Sequence, residues 1–373
     1  MNEPRLAKMH LGIDHARKDV KATAIHPLTR HGAAQSANLG DAPVANANVA
    51  RANPIVIDHG PVDQNAIETG RHGGSFLQWR KTGLFDSVRP CKRDRSRLMH
   101  KKAAMLEDRG VLSVSGADAT SFLQGLLTND VERLQPSDAR YAALLTPQGK
   151  ILFDMIVVRA PGEEPSYLID CAAAQAADLA KRLGFYKLRA KVAVADLSAD
   201  RAVAAFWGAE PACFEGLLYA DPRDPRLGWR AILPRPIAAA VGTEHVNEYE
   251  GLRIAVGAPK GGLDFAYADA FPHDANFDLL HGVDFDKGCY VGQEVVSRMK
   301  HRGTARKRVA RVKLAGPAPA PGTPIMDGEL AVGALGSSSG REALALLRLD
   351  RADEAKAAGR PLSAGGVTLA LAE

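Results

Sequence analysis

From Gly110 onward, strand-like and helix-like segments alternate in irregular order, with no repeating strand–helix–strand unit and no G-x-G-x-x-G turn. That order points to α+β architecture and away from a doubly wound nucleotide fold. Val111 to Ser115 reads as a short strand, and Gly116-Ala117-Asp118 supplies a turn and a helix N-cap. The stripe Phe122, Leu123, Leu126 and Leu127 predicts a helix ending near Thr128. Tyr141 to Thr146 and Lys150 to Arg159 flank Pro147-Gln148-Gly149, the composition of a hairpin turn. Tyr167 to Cys171 reads as another strand, Ala172 to Leu183 as a helix stopped by Gly184, and Lys191 to Asp196 as a strand. Residues 200 to 240 are Pro-rich, and their strands cannot be ordered. Thr243 is the expected N-cap of a helix through Val256.

Beyond residue 305, Ala310, Val312 and Leu314 alternate with Arg311 and Lys313, as in a half-buried strand. Short Gly-punctuated strands follow a Pro-rich turn and suggest a small β-barrel, with the Ser-rich run Gly336 to Gly340 expected as a loop. Residues 1 to 104 show no sustained period, carry 17 Lys and Arg against 9 Asp and Glu, and hold seven of the eleven histidines at spacings that match no ligand pattern. They are expected to be a basic, disordered extension, or an over-called start given Met99 and Met105; the acidic residues weigh against a transit peptide. No apolar stretch suits a spanning helix, so no membrane partner is expected. Cys91, Cys171, Cys213 and Cys289 are scattered and form neither a disulfide framework nor a structural metal site. A reducing compartment follows: the cytoplasm, or the mitochondrial matrix in a eukaryote.

The most unusual segment is Lys287-Gly288-Cys289-Tyr290-Val291-Gly292-Gln293-Glu294, where two glycines bracket a cysteine and an aromatic. Cys289 either sits in a positive field from Lys287 and the downstream cations, which would make it reactive, or is an inert cysteine in a Gly-rich turn. Gln293 and Glu294 either orient a heterocycle or begin a solvated helix. Arg298 to Lys313 holds eight Lys and Arg with His301, a density suited to an anionic tail or a nucleic-acid backbone. It lacks the aromatics of a single-strand binder, so nucleic acid is not the expected partner. Asp154 is a candidate buried acid.

Lys287 to Glu294 resembles the signature of the YgfZ family of folate-binding proteins, relatives of the glycine-cleavage aminomethyltransferase. Phe122 to Val131, Thr146 to Ile151, Tyr249 to Gly257, Pro272 to Gly282 and His301-Arg302-Gly303 fall in that family's order. The resemblance implies an aminomethyltransferase-like cloverleaf: a folate-binding α+β region over 105–304 and a C-terminal β-barrel over 305–373. It implies tetrahydrofolate in a central cavity and a role in assembling or repairing iron-sulfur clusters, with iron-sulfur client or scaffold proteins as partners. It further implies Cys289 as the functional thiol, with Tyr249, Arg253, Lys287, Gln293, Glu294 and Arg302 holding folate. Ala255 stands where many relatives place a Glu for the pterin. Phe153-Asp154 leaves one acid where the transferases carry two, which favours assembly over aminomethyl transfer by Asp154.

Overall fold

The computed structural model of the chain describes residues 102–211, 216–303 and 306–372. Most of the N-terminal extension, with its histidines, and both Cys91 and Cys213 lie outside the described residues. The first strand, β1 (Ala103–Leu106), begins inside the span expected to be extension. Ala103 and Ala104 are fully buried in it, so a chain starting at Met105 would lose half the strand.

A tight turn joins β1 to β2 (Arg109–Ser115). Helix α1 (Ala119–Gln124) follows, then the hairpin of β3 (Ala139–Leu145) and β4 (Ile151–Arg159), β5 (Ser166–Ala172), helix α2 (Ala176–Lys187) and β6 (Ala193–Asp196). Five of these strands form one antiparallel sheet in the order β3-β4-β5-β2-β6. Along β3, Tyr141, Ala143 and Leu145 point to one core while Ala142 and Leu144 point to another. Both faces are therefore apolar, as a sheet covered on two sides requires. Leu123 of α1 and Leu179 and Leu183 of α2 cover the outer face.

The Pro-rich middle resolves into β7 (Arg201–Phe206), β8 (Leu217–Ala220) and β9 (Trp229–Pro234), which join β1 in a second sheet ordered β1-β7-β9-β8. Val203, Ala205 and Ile232 face the first sheet; Ala204, Phe206 and Leu233 face away, toward helix α3 (Arg235–Val241). The largest core thus lies between the two sheets. Helix α4 (Val246–Val256) packs at its margin with Tyr249, which a long irregular segment separates from helix α5 (Gln293–Arg302).

The C-terminal part is a closed six-stranded barrel of β10 (Lys307–Leu314), β11 (Pro324–Asp327), β12 (Leu330–Ser339), β13 (Glu342–Arg348), β14 (Leu362–Ala364) and β15 (Val367–Leu371), with helix α6 (Leu349–Ala357) between β13 and β14. Val312 and Leu314 fill the barrel, as their alternation predicts. Four expectations are corrected. Helix α1 ends at Gln124, short of Thr128, so Leu126 and Leu127 lie beyond it. Gly184 does not stop α2, which runs to Lys187 and ends where Leu188 turns to φ 43°. Thr243 caps nothing, because α3 and α4 are separate and α4 starts at Val246. The Ser-rich run is not a loop: Gly336 to Ser339 lie in β12, whose register shifts between Leu335 and Ser338.

Candidate functional site

The candidate residues fall into two groups that do not meet. Asp154, Tyr249 and Arg253 line one cavity between the sheets, together with Arg109, Arg223 and Arg230. Cys289, Lys287, Gln293, Glu294 and Arg302 belong to the loop before α5 and to α5 itself, and none of them borders that cavity.

The cavity measures about 20 Å³. Charges within apolar strands, and just beyond the end of β8, build it. Asp170 on β5 pairs with Val111 and Ile156 across the sheet, which turns it toward the second sheet. Arg109 on β2 donates from Nε to its Oδ1 at 2.6 Å, and Arg230 on β9 donates from Nη1 to its Oδ2 at 2.6 Å. Arg230 reaches Asp221 Oδ2 from Nε at 2.9 Å, and Asp221 is gripped at both oxygens by Arg223, at 2.9 and 2.7 Å. The result is an unbroken chain, Arg109–Asp170–Arg230–Asp221–Arg223, running from one sheet to the other. Burial works to raise the pKa of both aspartates. The guanidiniums of Arg109 and Arg230 around Asp170, and of Arg223 and Arg230 around Asp221, outweigh it and hold both below the usual carboxylate range.

Tyr249 is 1% exposed; its hydroxyl accepts from Arg230 Nη2 at 3.1 Å and donates to Asp221 at 3.4 Å. Its ring lies 5.5 Å from that of Trp207. Asp154 accepts from Tyr267 at 2.5 Å and from Tyr141 at 3.3 Å, so both its oxygens are engaged. Arg253 is saturated: it donates to Glu250, to the carbonyl of Ala258, to Asp264 and to Ser337 Oγ. Its task is to fasten α4 to the barrel. Asp264 completes the joint, accepting from the Ser337 backbone N–H at 2.6 Å and from its hydroxyl at 2.7 Å, at the irregularity in β12.

A cavity of this size has room for about one water, whereas small-molecule sites commonly span ~300–1,000 Å³. The side chains present therefore do not fit a pterin, and Tyr249 and Arg253 are occupied by protein partners where the resemblance implies folate contacts. A larger recess of about 960 Å³ opens elsewhere, lined by Asn129, Arg140, Tyr219, Trp229, His281 and Phe285 among others, but no candidate residue borders it.

The loop has a different construction. Lys287 is buried, and its Nζ donates to the carbonyls of Gln124, Leu127 and Asn129 at 2.8, 2.7 and 2.8 Å. Burial pulls this ammonium down to about 8, against the opposing pull of Asp130, Asp284 and Glu132. All three N–H bonds are spent on the end of α1 and the turn beyond it, so Lys287 is a tether. Two residues on, Cys289 is exposed and free. Tyr290 then turns back into the core at 8% exposure.

Gly292 adopts φ 82°, and a Cβ there would lie 2.5 Å from the carbonyl of Thr146, so the loop packs on the turn of the β3–β4 hairpin. Gly288, by contrast, has open space where a Cβ would go. Three separated sequence blocks thus converge: the end of α1, the Thr146 to Lys150 turn, and the cysteine loop.

Glu294 is exposed and pairs with Arg298 one turn later at 2.7 Å; Arg302 is exposed at the C-terminal end of α5. The basic run divides. Arg308 pairs with Asp278, and Arg311 donates to the carbonyl of Ala255, so part of it is joint material between α4, its following segment and the barrel. Cys171, the other described thiol, is buried on β5, where burial pushes it up to about 12. No group of three or more His, Cys, Asp or Glu among the described residues is placed to hold a metal ion. Sequence reasoning missed Asp170, Asp221, Arg223 and Arg230. A signal existed, in the lone charges within the apolar strand sequences of β5 and β9.

Comparison with known proteins places this geometry. The GCVT N-terminal domain matches residues 64–213, and the CAF17 C-terminal beta-barrel domain matches 306–373. The first match starts 41 residues before the region over 105–304 that the resemblance implies, inside the expected extension. Aminomethyltransferase T of the glycine cleavage system from Bartonella henselae superposes with a TM-score of 0.58 at 18% identity, over 74% of this chain and 86% of that one. This establishes the aminomethyltransferase-like fold with its C-terminal barrel.

Among curated proteins, the mitochondrial iron-sulfur cluster assembly factor IBA57 of Mus musculus is 35% identical over 65% of this chain and 76% of its own length. The human protein is 32% identical over 63% and 72%. The homolog of Mycosarcoma maydis is 39% identical over 56% of each, so the match spans little more than half of that relative.

Proposed function

The chain belongs to the IBA57 family of iron-sulfur cluster assembly factors, and from that premise we propose that it supports the assembly of iron-sulfur clusters through the exposed thiol of Cys289. The family is a relative of YgfZ and distinct from it, which corrects the resemblance read from Lys287 to Glu294. One observation carries the proposal: Cys289 is displayed to solvent on a loop fixed on both sides, by the three-carbonyl tether of Lys287 and by the close approach of Gly292 to the hairpin turn. A fixed, exposed thiol is suited to binding a cluster or a partner that carries one.

A single cysteine supplies one ligand where a [2Fe–2S] cluster takes four. The described residues gather no further set around it, so the cluster, as cargo, would draw its remaining ligands from a second protein. Client or scaffold iron-sulfur proteins are the partners this implies. The relatives' names place them in mitochondria, and no helix among the described residues is long and apolar enough to cross a membrane. The proposed setting is the mitochondrial matrix if the source is eukaryotic, and the cytoplasm otherwise.

The competing reading, one-carbon transfer at Asp154, is disfavoured by that carboxylate's two tyrosine bonds and by the absence of room beside it. The test is rescue of client iron-sulfur enzyme activity in cells lacking the native factor. Cys289→Ser should abolish rescue while leaving the circular dichroism spectrum and melting temperature unchanged. Full rescue by the folded variant would end the proposal.

A further inference from the structure

The cavity between the two sheets, the central hole of this chain, is built from residues that answer one another. Asp170 receives Arg109, Arg230 and the hydroxyl of Tyr219; Asp221 receives Arg223, Arg230 and Tyr249; Asp154 receives Tyr267 and Tyr141. At the rim, Lys260 bridges Asp108 and Glu250 at 2.9 and 2.8 Å. Among the three buried carboxylates every oxygen has a donor, and Arg109, Arg223 and Arg230 balance the charge of Asp154, Asp170 and Asp221.

We infer that the central hole of this chain is closed by its own arginine–aspartate chain and takes no folate, so that its part in cluster assembly proceeds without that cofactor. The clause on assembly rests on the function proposed above; the closure of the hole does not.

Physical chemistry explains why the hole stays closed. A pterin entering beside Tyr249 would have to displace at least one guanidinium from Asp170 or Asp221, leaving a charge buried without its partner, one of the costliest defects a folded protein can carry. The ring's amide edge, a neutral donor–acceptor pair, does not replace an ion pair. The anionic tail of folate could satisfy an arginine only by stranding the aspartate that arginine now serves. The network also spans both sheets, from β2 and β5 to β9 and the segment after β8. Side chains of this protein therefore supply the bridge between the two sheets.

The experiment is calorimetric titration of tetrahydrofolate and of 5-formyltetrahydrofolate into the full chain under strict reduction, with a glycine-cleavage aminomethyltransferase as the positive control. Thermal melts with 1 mM of each folate run beside it. The expected result is no saturable heat and an unmoved melting temperature, because a ligand that binds only the native state must raise it. Saturable 1:1 binding that weakens tenfold or more in Asp154→Asn overturns the inference, since Asp154 lines the hole. Binding indifferent to Asp154→Asn lies outside the hole and leaves its closure standing, but it overturns folate independence if client rescue then fails in folate-depleted cells supplied with the end products of one-carbon metabolism. Rescue that persists in those cells supports both clauses. These outcomes are separate from the Cys289→Ser result, so the inference and the proposed function can fail independently.

Discussion

Two thiols with opposite surroundings frame the chemistry at the scale of single residues. Cys171 lies in the sheet with its pKa pushed up to about 12, and Cys289 is exposed. Brief alkylation of the native protein at pH 7.5, read by peptide mass mapping, should modify Cys289 and spare Cys171 until denaturant is added. Labelling of Cys171 at the same rate would contradict the burial described. Lys287 is the second decisive residue. Lys287→Met removes the donor from three carbonyls and should cost about 1–3 kcal/mol in urea denaturation. It should also free the cysteine loop, seen as faster hydrogen exchange over 285–292. Neither role was legible locally: the sequence shows a lysine two places from a cysteine, and only the fold turns that lysine inward toward residues some 160 positions earlier.

Elements here are joined by small residues at close approaches. A Cβ on Gly336 would meet Asp264 Oδ1 at 2.3 Å, in the irregular stretch of β12 where Ser337 bonds Asp264 and Arg253. Gly336→Val should leave the barrel's interior intact but loosen its attachment to α4. Hydrogen exchange over 250–257 should then be faster than in the parent protein, and an unchanged rate would refute this joint. The hairpin of β3 and β4 and the half-buried face of β10 were readable, because each rests on local apolar period and turn chemistry; the stripe located α1 but overran its end at Gln124. Gly184 and the Ser-rich run misled for a physical reason. Glycine costs a helix only about 1 kcal/mol and can be carried by neighbours that pack, and a strand tolerates small polar residues where a bulge aims them at a partner.

At the scale of the whole molecule, stability and function separate. The arginine–aspartate chain joins the two sheets, and Asp170→Asn, which strands Arg109 and leaves Arg230 with Asp221 alone, should destabilise the protein by about 3–5 kcal/mol. The pH dependence follows the same carboxylates. Asp170 and Asp221 titrate lower in the folded protein than in the unfolded chain. The stability they contribute is complete above the unfolded value near ~4 and is lost as pH falls through their folded values. Denaturation midpoints between pH 6 and pH 3 should fall more steeply for the parent than for Asp170→Asn, and parallel curves would show that Asp170 does not carry the effect. The α+β class, the terminal barrel and the cysteine loop as the segment of interest were determined by sequence, since period, turn residues and one specific motif are local properties. What the central hole contains was decided only by tertiary structure. Arg109, Asp170, Asp221 and Arg230 are separated by as many as 121 positions, and whether such charges meet as partners or stand ready for a ligand depends on strand register and sheet packing, which no local pattern encodes.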